Sequence, residues 1–162
     1  MTQPTPERSG RPHAERRFPH AFVGKWKTEG RQHETVLGSA ANISATETYE
    51  WLTGGRFLVH RFEGHVGDGP AACIEIIGHE DSSDRYSVHT FYNNGVTRRW
   101  RGEERGGLWL LTGDWPVAGR TQKVRCTIAL LDEERAMKGK WEYSKDGSKW
   151  HTFWDVSATK LD

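Results

Sequence analysis

Gln122-Lys123-Val124-Arg125-Cys126-Thr127-Ile128-Ala129-Leu130-Leu131, then Asp132-Glu133-Glu134-Arg135, then Ala136-Met137-Lys138-Gly139-Lys140-Trp141-Glu142-Tyr143-Ser144: this stretch decides the fold class. Val124, Cys126, Ile128 and Leu130 take every second position, and Lys123, Arg125 and Thr127 take those between. Strand side chains point to alternate faces, so a period of two marks a strand with one dry face and one wet face. After the polar turn the alternation resumes. Met137, Gly139, Trp141 and Tyr143 oppose Lys138, Lys140 and Glu142. Two such segments joined by a short polar turn read as an antiparallel hairpin.

The same period runs outward in both directions. It predicts further strands over 24–33, 43–52, 56–66, 71–79, 85–92, 96–104, 108–114 and 148–160. Short turns separate most of them, including Thr53-Gly54-Gly55, Gly106-Gly107 and Asn93-Asn94-Gly95. Asn and Gly accept positive φ at low cost, which suits hairpin turns. Residues 115–119 read as a loop, and 18–23 as a short apolar helical turn that closes one end. An open sheet of this size would leave long edges exposed; closing it removes them and creates one inner face to fill. A two-sheet sandwich is the alternative, and the lack of a fixed-period repeat argues against a propeller. The expectation is an all-β, antiparallel up-and-down barrel of about ten strands with a short N-terminal helical turn. Trp26, Thr28, Val124, Cys126, Ile128, Met137, Trp141 and Tyr143 should face inward, and Lys25, Lys27, Lys123, Arg125, Lys138 and Lys140 outward.

A length of 162 residues suits one barrel domain over 18–162, preceded by a polar tail over 1–17 that carries Pro4, Pro6 and Pro12. Hydrophobic content is only 35%, but eight Trp offset this because each buries a large area. A net charge of +1 gives no pull toward nucleic acid or an acidic membrane. No apolar run reaches membrane-helix length, and no apolar leader core is visible, so the expected location is cytoplasmic. Cys73 and Cys126 sit in predicted strands and read as reduced, buried thiols, with a single disulfide between them as the alternative.

Familiar catalytic patterns are absent. There is no Cys-x-x-Cys, His-Glu-x-x-His or Gly-x-Ser-x-Gly, and no spacing supports a zinc site. Polar groups set into apolar strands remain: His60 between Leu58 and Phe62, His89 between Ser87 and Phe91, Glu75 inside Cys73-Ile74-Glu75-Ile76-Ile77, Arg98 in phase with Val96 and Trp100, and Asp155 between Trp154 and Val156. Ionisable groups there cost free energy unless they are paired or solvated in a cavity. Together with the aromatic Trp26, Tyr49, Trp100 and Trp141 they form the candidate cavity set. His60 and His89 are expected to point inward, since each shares a face with a phenylalanine. The strand faces of Glu75 and Asp155 stay ambiguous.

Gly24-Lys25-Trp26 after a short apolar lead resembles the first strand of lipocalins and the wider calycin barrels, where the Trp closes one barrel end. Tyr49-Glu50-Trp51-Leu52-Thr53-Gly54-Gly55-Arg56-Phe57-Leu58-Val59-His60-Arg61, Glu75-Ile76-Ile77-Gly78, Trp141-Glu142-Tyr143-Ser144-Lys145-Asp146-Gly147 and the closing Trp154-Asp155-Val156 resemble a bacterial family of unknown function with a calycin-type barrel. The resemblance spans roughly residues 20–160 and implies the fold but no activity. A related class, the nitrobindins, holds haem through a His in its last strands. Here His151 lies too early, and the matching region offers Phe153 and Asp155, neither a neutral nitrogen ligand for iron. No cofactor and no metal is therefore expected.

Three readings compete. The first is a barrel, monomeric or homodimeric, that binds a small hydrophobic or aromatic molecule, with no nucleic acid or membrane partner. The second is a cofactor-free isomerase, cyclase or lyase using His60, His89, Glu75 or Asp155 for proton transfer. The third is a structural protein with a filled barrel. Cavity volume separates the third from the other two.

Overall fold

In the computed structural model, which describes residues 17–162, ten strands follow a single helical turn. The turn, α1, covers Arg17–His20. The strands are β1 Gly24–Gln32, β2 Ala41–Trp51, β3 Phe57–Val66, β4 Gly69–His79, β5 Arg85–Tyr92, β6 Thr97–Arg105, β7 Leu108–Val117, β8 Arg120–Leu131, β9 Ala136–Ser144 and β10 His151–Leu161. Every strand pairs antiparallel with its sequence neighbours, and β1 also pairs with β10, so the sheet closes into an up-and-down barrel. The tail expected over 1–17 lies outside the described residues, apart from Arg17 in α1.

The deciding hairpin lies in the expected register. Val124 sits opposite Tyr143, and Cys126 opposite Trp141. Trp26, Thr28, Val124, Cys126 and Met137 are buried, while Lys25, Lys27, Lys123, Lys138 and Lys140 are exposed. Arg125 is half-buried because its guanidinium lies over the Trp150 ring at 3.9 Å and pairs with Glu142 at 2.8 Å. The loop expected over 115–119 is instead mostly strand. β7 runs through Pro116, paired with Thr121, and only Ala118 and Gly119 turn the chain, both at positive φ. A two-residue turn of this kind matches the strand twist, and a Pro is tolerated where no ladder donor is needed.

α1 and the residues that follow it close one end of the barrel. Phe18, Ala21 and Phe22 are buried there. Phe18 stacks on Trp109 at 5.9 Å, and Phe22 on Tyr49 at 5.4 Å. Tyr86 Oη donates to the Phe18 carbonyl at 2.9 Å. Trp26 Nε1 donates to the Phe22 carbonyl at 2.7 Å, and the Lys160 ammonium lies 5.1 Å from the Trp26 ring. The buried polar tips of Tyr86 and Trp26 thus find backbone partners.

Candidate functional site

Beneath this aromatic plug lies a cavity of about 520 Å³. Its wall is mainly aromatic and aliphatic, with Phe62, Tyr92, Trp109, Met137, Trp141 and Trp154 among its members. It reaches the barrel end opposite α1, where the exposed Pro70, Asn93 and Asn94 form part of the lining. Cys73 and Cys126 also line it, and both are free thiols.

One side of the wall carries a polar belt across six consecutive strands, β1 to β6. Cross-strand register builds it: Tyr49 sits opposite His60, His60 opposite Glu75, and Glu75 opposite Thr90. Opposed residues in a ladder share a face, so inward placement of one brings its neighbours inward too. Glu47 joins from β2 in phase with the buried Ile43, Ala45 and Tyr49.

Hydrogen bonds run the length of the belt. Trp100 Nε1 donates to Thr90 Oγ1 at 3.1 Å, and Thr90 Oγ1 donates to Glu75 Oε2 at 2.6 Å. Glu75 Oε1 lies 2.6 Å from His60 Nδ1, and Glu47 Oε2 lies 2.7 Å from His60 Nε2. Glu47 also accepts from Thr28 Oγ1 at 2.5 Å and from Tyr49 Oη at 3.2 Å. The Tyr49 ring stacks on the imidazole, with centroids 4.0 Å apart and planes within 3°.

Burial alone would lower the His60 pKa, but hydrogen bonds to both carboxylates and their charges outweigh it and hold His60 at about 9. Burial pushes Glu47 up, and the His60 contact, aided by Thr28 and Tyr49, more than reverses this, so its carboxyl titrates below the ordinary glutamate value. Burial, then the charges of Glu47 and Glu75, pushes the Tyr49 phenol well above its usual range. Burial and the same carboxylates raise the Cys73 and Cys126 thiols.

The candidate residues separate clearly. Tyr49, His60, Glu75 and Trp141 line the cavity. Trp26 is buried in the core, and Trp100 backs the belt through Thr90. Arg98 is half-buried, with its guanidinium 5.4 Å from the Trp115 ring centre and off the cavity wall. Two expectations are corrected. His89 does not point inward: Tyr86, Val88 and Thr90 are the buried face of β5, and Phe91, the supposed guide, is 49% exposed. Asp155 is exposed and pairs with His33 outside the barrel, because Trp154 and Val156 on either side of it face the cavity. Glu47, Thr28 and Thr90 complete the belt but were not among the candidates. The readable signal for Glu47 was its even spacing from Ile43, Ala45 and Tyr49.

His60 is the one histidine on the cavity wall among the described residues, and carboxylates hold both of its ring nitrogens. His151 is exposed and stacks on Tyr143 at 5.4 Å. Among the described residues, no helix is long and apolar enough to cross a membrane.

Fold and site together define a closed ten-stranded antiparallel barrel with an internal cavity plugged at one end and belted by buried polar groups. Residues 11–159 match the family described as "Protein of unknown function (DUF1579)", and the chain belongs to that family. No curated protein matches it.

Proposed function

We propose that the barrel binds a small, largely apolar molecule in its central cavity. One observation carries the reading: about 520 Å³ stays unfilled inside a chain with eight Trp. Ligand pockets are typically about 300–1,000 Å³, mostly apolar, with a few placed polar groups. The aromatic wall and the single polar belt fit that description, and they count against a filled structural barrel. A second reading rests on the belt alone. Glu47, His60 and Glu75 form a coupled acid–base set that faces the cavity, which would serve a cofactor-free isomerase, cyclase or lyase. In that role a carboxylate would meet the substrate, since both imidazole nitrogens are already engaged. Native mass spectrometry of the chain purified from its own host tests the binding reading. The spectrum should carry an added small-molecule mass. Ala71→Phe, which places a ring at the half-buried wall position next to Pro70, should lose it. An unliganded mass for both proteins would overturn the proposal.

A further inference from the structure

We infer that the cavity takes an organic cation, an amine carried on an apolar or aromatic body; this rests on the binding reading above and names its ligand class. Proton counting along the belt leads there. A Trp Nε1–H can only donate, so Thr90 accepts from Trp100, and Thr90 Oγ1 in turn donates to Glu75 Oε2. Thr28 and Tyr49 likewise donate to the two oxygens of Glu47. The remaining contacts are the two between His60 and the carboxylates, and each holds one proton. Whether a given proton sits on nitrogen or oxygen does not alter the sum. Two carboxylates and an imidazole sharing those two protons carry one net negative charge. Glu47, His60 and Glu75 are only 7%, 6% and 8% exposed, so that charge is buried.

No Lys or Arg lines the cavity among the described residues. Arg98, the cation with inward phase in β6, is turned to Trp115 and to the Thr97 carbonyl. An uncompensated buried charge is unfavourable, and a cationic ligand would neutralise it. Acceptor capacity is also left over. A carboxylate offers about four lone-pair sites; Glu75 uses two of them, for His60 and Thr90. An ammonium bound there would form charge-assisted hydrogen bonds. Trp109, Trp141 and Trp154 line the same cavity, and aromatic rings suit a cation and its apolar body alike. An anionic ligand would meet repulsion.

Three probes of one shape test this: phenethylamine, phenethyl alcohol and phenylacetate, each titrated into the full chain by calorimetry at neutral pH. The amine should bind about tenfold tighter than the alcohol, reflecting the stronger charge-assisted bond, and phenylacetate should not bind. The double variant Glu47→Gln/Glu75→Gln, which removes both carboxylates at nearly constant shape, should bring amine and alcohol to equal affinity. Should that variant fail to fold, the wild-type comparison still decides. Equal wild-type affinity for amine and alcohol, or tighter binding of phenylacetate, would overturn the cation inference and leave a neutral-ligand cavity standing. Binding of none of the three would overturn both readings.

Discussion

Raising the pH should unfasten the belt at His60. The imidazole is held at about 9 against an ordinary 6.5, because its bonds to Glu47 and Glu75 outweigh the cost of its burial. A pKa raised in the folded state means that the protonated form stabilises the fold. That stabilisation is complete below about pH 6.5 and fades as pH climbs through about 9. At about 1.4 kcal/mol per pKa unit, the whole contribution is on the order of 3 kcal/mol, and most of it is lost between those two pH values. With a urea slope of roughly 2 kcal/mol per molar, the unfolding midpoint should fall by a little over 1 M across that window. His60→Gln provides the reference, since it keeps a polar side chain but cannot titrate there. Cysteine and tyrosine ionisation is common to both proteins and cancels in the difference. Urea melts followed by Trp fluorescence at half-unit pH steps would measure it. Parallel midpoint curves for wild type and His60→Gln would refute the idea that the carboxylates hold a charged imidazole.

Trp26→Ala should cost roughly 3–5 kcal/mol, as for other large buried aromatics, since the ring is fully buried and tied to Phe22; a denaturation midpoint near wild type would remove its role in the plug. Gly30→Ala should destabilise by about 1–3 kcal/mol, because an added Cβ would lie 2.2 Å from the Asp155 carbonyl and 2.7 Å from the Val156 Cα, both backbone atoms of β10. Chemical denaturation checks it, and an unchanged midpoint would mean that β1 and β10 part at little cost.

How much of this was legible depended on which strand carried polar groups inward. In β8 and β9 the inner face is apolar and the outer face cationic, so alternation placed Val124, Cys126 and Met137 directly. In β5 the contrast reverses at its end. Thr90 is buried because Glu75 accepts its hydroxyl proton, whereas Phe91 is exposed. An apolar-inward rule therefore followed Phe91 and took His89 with it to the wrong side. In β10 the obstacle was a bulge. The register with β9 shifts between Thr152 and Trp154, so Phe153 is buried and Trp154 also reaches the cavity. Counting from Phe153 turns Asp155 inward, and counting from Trp154 turns it outward. A bulge inserts one residue without any composition of its own, so period alone cannot choose.

The belt itself bears on why the barrel is hollow. Replacing a buried ionic group with apolar side chains of equal volume is often neutral or stabilising by about 1–4 kcal/mol, whereas removing one partner alone is costly. Stability therefore gives little reason to keep Glu47, His60 and Glu75 together. An apolar layer at these positions would join an interior that is already aromatic, where Trp100 packs against Trp115 at 5.0 Å and Trp141 at 5.3 Å. The chain instead sets hydroxyls at Thr28 and Thr90 to satisfy the carboxylates and leaves the space before them unfilled. Stabilisation of an empty barrel requires neither the charge nor the space, whereas the cationic ligand proposed above would use both at once.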